Sequence, residues 1–176
     1  MKNFLVIVFL SSLFLMPAFA DDLADDPVRA AKLPKTTTAQ LVQLAKHNDA
    51  RVRQAVASNR RAPAELLHQL ASDPNQDVRI NVIVNTATAE KTHLLLAQDK
   101  SVAVRSVVAR FEYVTARVMA LLAKDSNPEI RKEVAKNWNT DTATLQLLVK
   151  DEFEDVSATA SNELTKRSLE NNKGAQ

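Results

Sequence analysis

A period of 26 residues constrains this chain more than any other feature. Leu44, Leu70, Leu96, Leu122 and Leu148 stand at that spacing. The first four are each followed, eight and nine positions on, by an aliphatic–Arg pair: Val52-Arg53, Val78-Arg79, Val104-Arg105 and Ile130-Arg131. The last copy carries Val156-Ser157 instead. A repeat of this length is one supersecondary unit that cannot bury its own apolar face and stacks on its neighbours. The expectation is therefore an all-α fold, an α-solenoid of stacked two-helix repeats.

Within each unit the apolar residues fall into two clusters with helical spacing, separated by polar breaks. The first helix starts after Asp49, Asn75, Ser101 and Asn127, whose side chains can accept from the free N–H groups of a first turn. Pro128 suits the first helical position, where its missing N–H costs nothing. Val52/Val56, Val78/Val82, Val104/Val108 and Ile130/Val134 lie four apart and share one face. Asn59, Asn85 and Asn137 mark the stop. A second helix begins near Pro63, Ala89, Thr115 and Asp141, with Thr88 and Thr140 as candidate caps. Its buried side is expected from Leu66, Leu67 and Leu70; Leu94, Leu95 and Leu96; Val118, Leu121 and Leu122; and Leu145, Leu147 and Leu148.

The ends depart from the pattern. Met1–Ala20 has one lysine, an apolar run from Phe4 to Leu15, Pro17 and then Ala18-Phe19-Ala20. It reads as a secretory signal peptide cut after Ala20, with a run too short to span a bilayer comfortably. The expected organisation is a signal peptide over 1–20 and an amino-terminal degenerate capping repeat over 21–43. Four full repeats over 44–147, a carboxy-terminal capping repeat over 148–170 and a disordered tail over 171–176 follow. Residues Leu23–Arg29 read as a compressed copy of the unit's Leu-Ala, Asp and Val-Arg elements. Export implies a periplasmic or secreted protein without a stable membrane anchor. The sequence has no cysteine, so neither disulfides nor a lipid-bearing cysteine contribute.

These residues resemble the leucine-rich repeat variant family, whose helical unit reads close to LAxDPxxxVRxAVAxNPxxPxxLLxxLA. Leu44-Ala45, Val52-Arg53, Ala55-Val56-Ala57, Asn59, Pro63 and Leu66-Leu67 match in order, as do Leu70-Ala71, Asp73-Pro74, Val78-Arg79 and Asn85. The resemblance implies a HEAT-like array whose second element is either α or a short 3₁₀ segment. It also implies binding of a protein or polymer and no particular reaction. The cysteine-bound iron–sulfur module of some members has no counterpart here, so neither a redox role nor a cofactor carries over.

Two sets of residues are candidates for recognition. Arg53, Arg79, Arg105 and Arg131 recur at one place per unit and form a ladder, either structural or anion-binding. Aligned guanidinium groups can grip phosphate or carboxylate groups along a polymer. Alternatively they pair with Asp73, Asp99, Asp125 and Asp151, a matching ladder six residues ahead of the Arg positions. The structural reading is favoured, because a formal net charge of +2 lacks the basic excess of a nucleic-acid footprint. The second set lies on the turns between the two helices, where the copies differ most: Arg60, Arg61, Phe111, Tyr113 and Trp138. Large amphipathic aromatics and Arg dominate interface hot spots, and loops on one face of a solenoid are its usual recognition surface. The competing reading folds Phe111 inward, where other units have Asn, and lays Trp138 over a neighbour's apolar rim.

His47, His68 and His93 lack metal-ligand spacing and read as polar surface. The single glycine, Gly174, leaves no phosphate-cradling loop or nucleophile elbow. The chain is thus expected to be a non-catalytic exported scaffold for a protein partner, such as an immunity or secretion-accessory adaptor. The alternative is a binder of cell-wall glycan, lipopolysaccharide or nucleic acid through the Arg ladder. No metal or cofactor is expected.

Overall fold

The computed structural model describes residues 26–174, with side chains as far as residue 170. The expected signal peptide, its cleavage site, Leu23, Ala24 and the last two residues lie outside the described residues. Eleven α-helices and no strand occur among those described. The first helices of successive units are α1 (Pro27–Lys32), α3 (Ala50–Ser58), α5 (Gln76–Val84), α7 (Val102–Arg110), α9 (Pro128–Lys136) and α11 (Glu154–Gly174). Alternating with them are the second helices α2 (Thr38–Leu44), α4 (Ala64–Leu70), α6 (Glu90–Leu96), α8 (Ala116–Leu122) and α10 (Thr142–Leu148). Each first helix packs on the next, so α1, α3, α5, α7, α9 and α11 form one continuous layer.

Helices of seven or nine residues are marginal in water by themselves. Stacking supplies what propensity lacks. Val52, Val56, Val78, Val82, Val104, Val108, Ile130 and Val134 are all buried in one core that runs along the array. Asp49, Asn75 and Asn127 accept from the N–H groups of Arg51, Asp77 and Glu129, as N-caps do. Ser101 makes no such bond; its hydroxyl lies 3.0 Å from Gln76 Oε1 in the preceding unit.

The second helices require corrections to register and capping. Leu95 and Leu147, expected inside, are 40% and 50% exposed. The buried positions are Leu66, Leu67 and Leu70 in α4, Thr92, His93 and Leu96 in α6, and Thr144, Leu145 and Leu148 in α10. In each helix the buried stripe is one residue and the two lying three and four positions before it: Leu70 with Leu66 and Leu67, Leu96 with Thr92 and His93, Leu148 with Thr144 and Leu145. Leu95 and Leu147 fall outside that stripe. Thr88 and Thr140 do not cap. Their hydroxyls donate backwards to the carbonyls of Val82 and Val134, while Ala89 and Asp141 hold the N-cap position. The second helices are α, and their exits tighten into i→i−3 bonds such as Asp73 N–H to Leu70 C=O at 3.1 Å.

Asn59, Asn85 and Asn137 do end their helices, though not in the left-handed conformation that makes Asn a helix stop. Asn85 has φ −77° and ψ 124°, and no non-glycine residue has positive φ among those described. At the amino-terminal end the described residues from Asp26 onward keep the 26-residue register, while Leu23 to Asp25 of the expected compressed copy lie outside the described residues. Ala30 and Ala31 of α1 are buried 26 residues before Val56 and Ala57, and α1 has six residues against nine in α3.

Candidate functional site

Two ladders of polar side chains tie the units together, and their geometry fixes where each expected recognition residue lies. Arg79 Nε donates to Asp99 Oδ2 at 2.6 Å and Nη2 to Asp99 Oδ1 at 2.9 Å. Its Nη1 donates to the carbonyl of Asp73 at 2.7 Å. The same fork joins Arg53 to Asp73, Arg105 to Asp125 and Arg131 to Asp151, each at 2.6 Å through Nε. The carboxylate partner therefore belongs to the following unit, 20 residues on. The aspartate six residues back contributes its backbone oxygen for Arg79, Arg105 and Arg131.

Each aspartate also accepts from the N–H two residues ahead: Asn75, Ser101, Asn127 and Phe153. Burial opposes ionisation of Asp99, yet the Arg79 fork and the Ser101 N–H outweigh it and hold the carboxyl below the usual range. The bond to Asp99 likewise raises the Arg79 guanidinium above its ordinary value. All four ladder arginines thus hold bidentate carboxylates, and Phe153 covers Arg131 with its ring centroid 5.3 Å from Cζ.

The second ladder consists of the asparagines. Asn85 Nδ2 donates to the carbonyls of Ala57 at 2.7 Å and Asn59 at 3.0 Å, while its Oδ1 accepts from Ala87 N–H. Asn59 bonds Ala31 and Leu33 in the same way, and Asn137 bonds Ala109 and Phe111. Phe111 occupies the place of the missing member. The carbonyl of Ile83, which an asparagine there would reach, is instead 3.0 Å from His93 Nε2. A carbonyl only accepts, so the imidazole carries its proton on Nε2.

His93, expected on the surface, is 5% exposed. Burial depresses its pKa, opposed by the Ile83 bond. Of the other histidines, His47 is exposed, and half-buried His68 has Nδ1 3.0 Å from Thr92 Oγ1. At the carboxy-terminal end Glu163 stands in the asparagine position. It holds Arg167, whose guanidinium reaches the carbonyls of Asn137 and Thr140 and closes the ladder.

These bonds lay the inter-helix turns, residues 33–37, 59–63, 85–89, 111–115 and 137–141, side by side along one edge. Further bonds link neighbouring turns there: Arg61 Nη1 to Pro34 C=O at 3.2 Å and Asn139 Nδ2 to Glu112 C=O. On this edge Tyr113 is 69% and Trp138 67% exposed, and Arg60 and Arg61 are exposed at its other end. Phe111 is turned inward, its ring 5.8 Å from that of His93 and 5.5 Å from that of Tyr113, edge-on. It supports Tyr113 and offers little surface itself. No cluster of residues able to hold a metal ion occurs among the described residues, and none of their helices is long and apolar enough to cross a membrane.

The family model described as leucine rich repeat variant matches residues 50–75. A solved structure described as a leucine-rich repeat variant with a novel repetitive protein structural motif shares the fold with a TM-score of 0.66 at 21% identity. That alignment covers 83% of this chain and 60% of the other, so the chain spans less than two thirds of that structure's length. Comparison with curated proteins finds no match.

Proposed function

This chain resembles the leucine-rich repeat variants in its repeat unit and in its helical-repeat fold, and on that premise we propose that it is an exported, non-catalytic scaffold that binds a protein partner through its turn edge. The observation carrying this reading is the pair Tyr113 and Trp138, two large amphipathic rings left two-thirds exposed on an edge otherwise fixed by buried polar bonds. Rigid aromatic anchors of this kind give large contact area at low entropic cost. The immunity or secretion-accessory adaptor is the form of this function that fits the signal-like Met1–Ala20.

Polymer binding through the ladder is disfavoured, since Arg53, Arg79, Arg105 and Arg131 would have to release carboxylates held at 2.6 Å. The test is capture of a stoichiometric partner from the envelope of the exporting cell, using the parent and a Trp138→Ala/Tyr113→Ala variant. Capture by the parent alone is expected; equal capture by both removes the turn edge from the function. Export is checked by amino-terminal sequencing of the purified chain, which begins at Asp21 if the leader is cut as expected.

A further inference from the structure

Charge is handled differently at the two edges of the array. At one edge Asp73, Asp99, Asp125 and Asp151 are each neutralised by a ladder arginine. At the amino-terminal end of the turn edge, Lys32, Arg60 and Arg61 lie together. Between its first and second turns lies a shallow concavity with an apolar floor of Pro34 and Ala55, bordered by Ser58 and by the cations Lys32, Arg60 and Arg61. The bond from Arg61 to Pro34 C=O fixes one wall. Arg60 makes no ion pair among the described residues. A concavity of this kind favours a carboxylate carried on an otherwise apolar or extended segment.

The other end of the same edge has the opposite character. Tyr113 and Trp138 sit on the fourth and fifth turns, and exposed Glu112 beside them repels acidic groups. In between, Thr86 and Ala87 leave a path of small side chains, beside exposed Val84. About three helix-to-helix steps of 8–10 Å separate the two ends, or roughly 25–30 Å. An extended chain covers that distance with about eight residues at ~3.3 Å each.

We propose that the turn edge reads an extended segment of a partner protein, acidic at one end and apolar at the other. Its carboxylates sit against Lys32, Arg60 and Arg61, and its apolar side chains cover Tyr113 and Trp138. This rests on the protein-binding reading above and adds the chemistry and length of what is bound. Charge complementarity sets the placement of the segment, and aromatic burial supplies much of its affinity.

The probe is a synthetic peptide of about ten residues with Asp and Glu at one end, a Gly/Ser spacer and Leu-Phe at the other, made in both chain directions and without tryptophan. Trp138 is the only tryptophan of the chain, so its emission reports binding directly. One peptide direction is expected to shift that emission to shorter wavelength. Arg60→Glu/Arg61→Glu should weaken binding at least about tenfold, and added salt should weaken the parent more than that variant. A peptide with Lys in place of its acidic residues should not bind.

Unchanged melting temperatures confirm that the exposed substitutions leave the fold intact. The proposal is overturned if neither peptide binds, or if Arg60→Glu/Arg61→Glu binds like the parent. Envelope capture that survives Arg60→Glu/Arg61→Glu but is lost with Trp138→Ala/Tyr113→Ala would leave the protein-binding function standing and this inference refuted. Heparin binding that ignores Trp138 and Tyr113 and displaces the peptide would assign the basic end to an anionic polymer instead.

Discussion

Replacing Arg79 by Met keeps the apolar stem of the side chain and removes its fork. Four charge-assisted bonds go with it: two to Asp99, at 2.6 and 2.9 Å, and one each to the carbonyls of Asp73, at 2.7 Å, and Pro74, at 3.3 Å. The side chains of the pair are only 5% and 8% exposed, so water cannot replace what is lost. Asp99 is left as a buried carboxylate with the Ser101 N–H, at 2.8 Å, as its remaining hydrogen bond. Breaking one side of such a pair costs about 3–5 kcal/mol.

A control comes from the same molecule. Lys91 and Glu65 also meet at 2.6 Å, yet are 53% and 74% exposed, so water screens the pair and Lys91→Met should leave stability nearly unchanged. Equal distance and unequal burial isolate the desolvation argument. Arg79→Met should lower the melting temperature by roughly 10 °C, at about 2–4 °C per kcal/mol for a chain of this size. Asp99→Asn added to Arg79→Met should restore part of the loss, since it removes the stranded charge. Urea denaturation followed by circular dichroism and by Trp138 emission provides the free energies, provided the two transitions coincide, as a one-dimensional array does not guarantee. If Arg79→Met costs no more than Lys91→Met, the ladder is not what locks the units together.

Asn85→Ala strands the carbonyls of Ala57 and Asn59 and frees the N–H of Ala87, so it should cost about 2–3 kcal/mol in the same denaturation assay. His93 provides the pH-dependent case: its pKa is depressed on folding, so the stability it contributes is present above the unfolded value near 6.5 and is lost as pH falls below it. Melting temperature should therefore decline on acidification through that range in the parent. The decline should flatten in a His93→Leu/Phe111→Asn variant, in which Asn at 111 takes over the bond to the Ile83 carbonyl.

Much of this architecture is written in the periodicity of single residues. Val52, Val78, Val104 and Ile130 are buried because an apolar side chain four residues from another on a helix must be covered, and that can be read without knowing the cover. The capping of α3, α5 and α9 by Asp49, Asn75 and Asn127 is equally local. What a polar residue bonds to is not local, and there the tertiary structure decided. Arg79 recurs in step with Asp73, yet its carboxylate partner is Asp99, because stacking brings the next unit's aspartate within reach. Asn85 ends a helix in sequence but acts as a bridge to the preceding turn. His93 reads as a surface residue until Phe111 takes the asparagine's place and leaves the Ile83 carbonyl for His93 to satisfy.

The candidate edge divides in the same way. The turns could be recognised as its location because the copies differ there, and Tyr113 and Trp138 do face outward. Phe111, one residue earlier in its unit than Trp138 in the next, turns inward. Only the stacked array showed that, and only it gathered Lys32, Arg60 and Arg61 around one concavity. Burial is a property a residue carries along its own helix, whereas a hydrogen-bond partner or a charged rim is a property of neighbours 20 to 30 residues away that folding alone brings together.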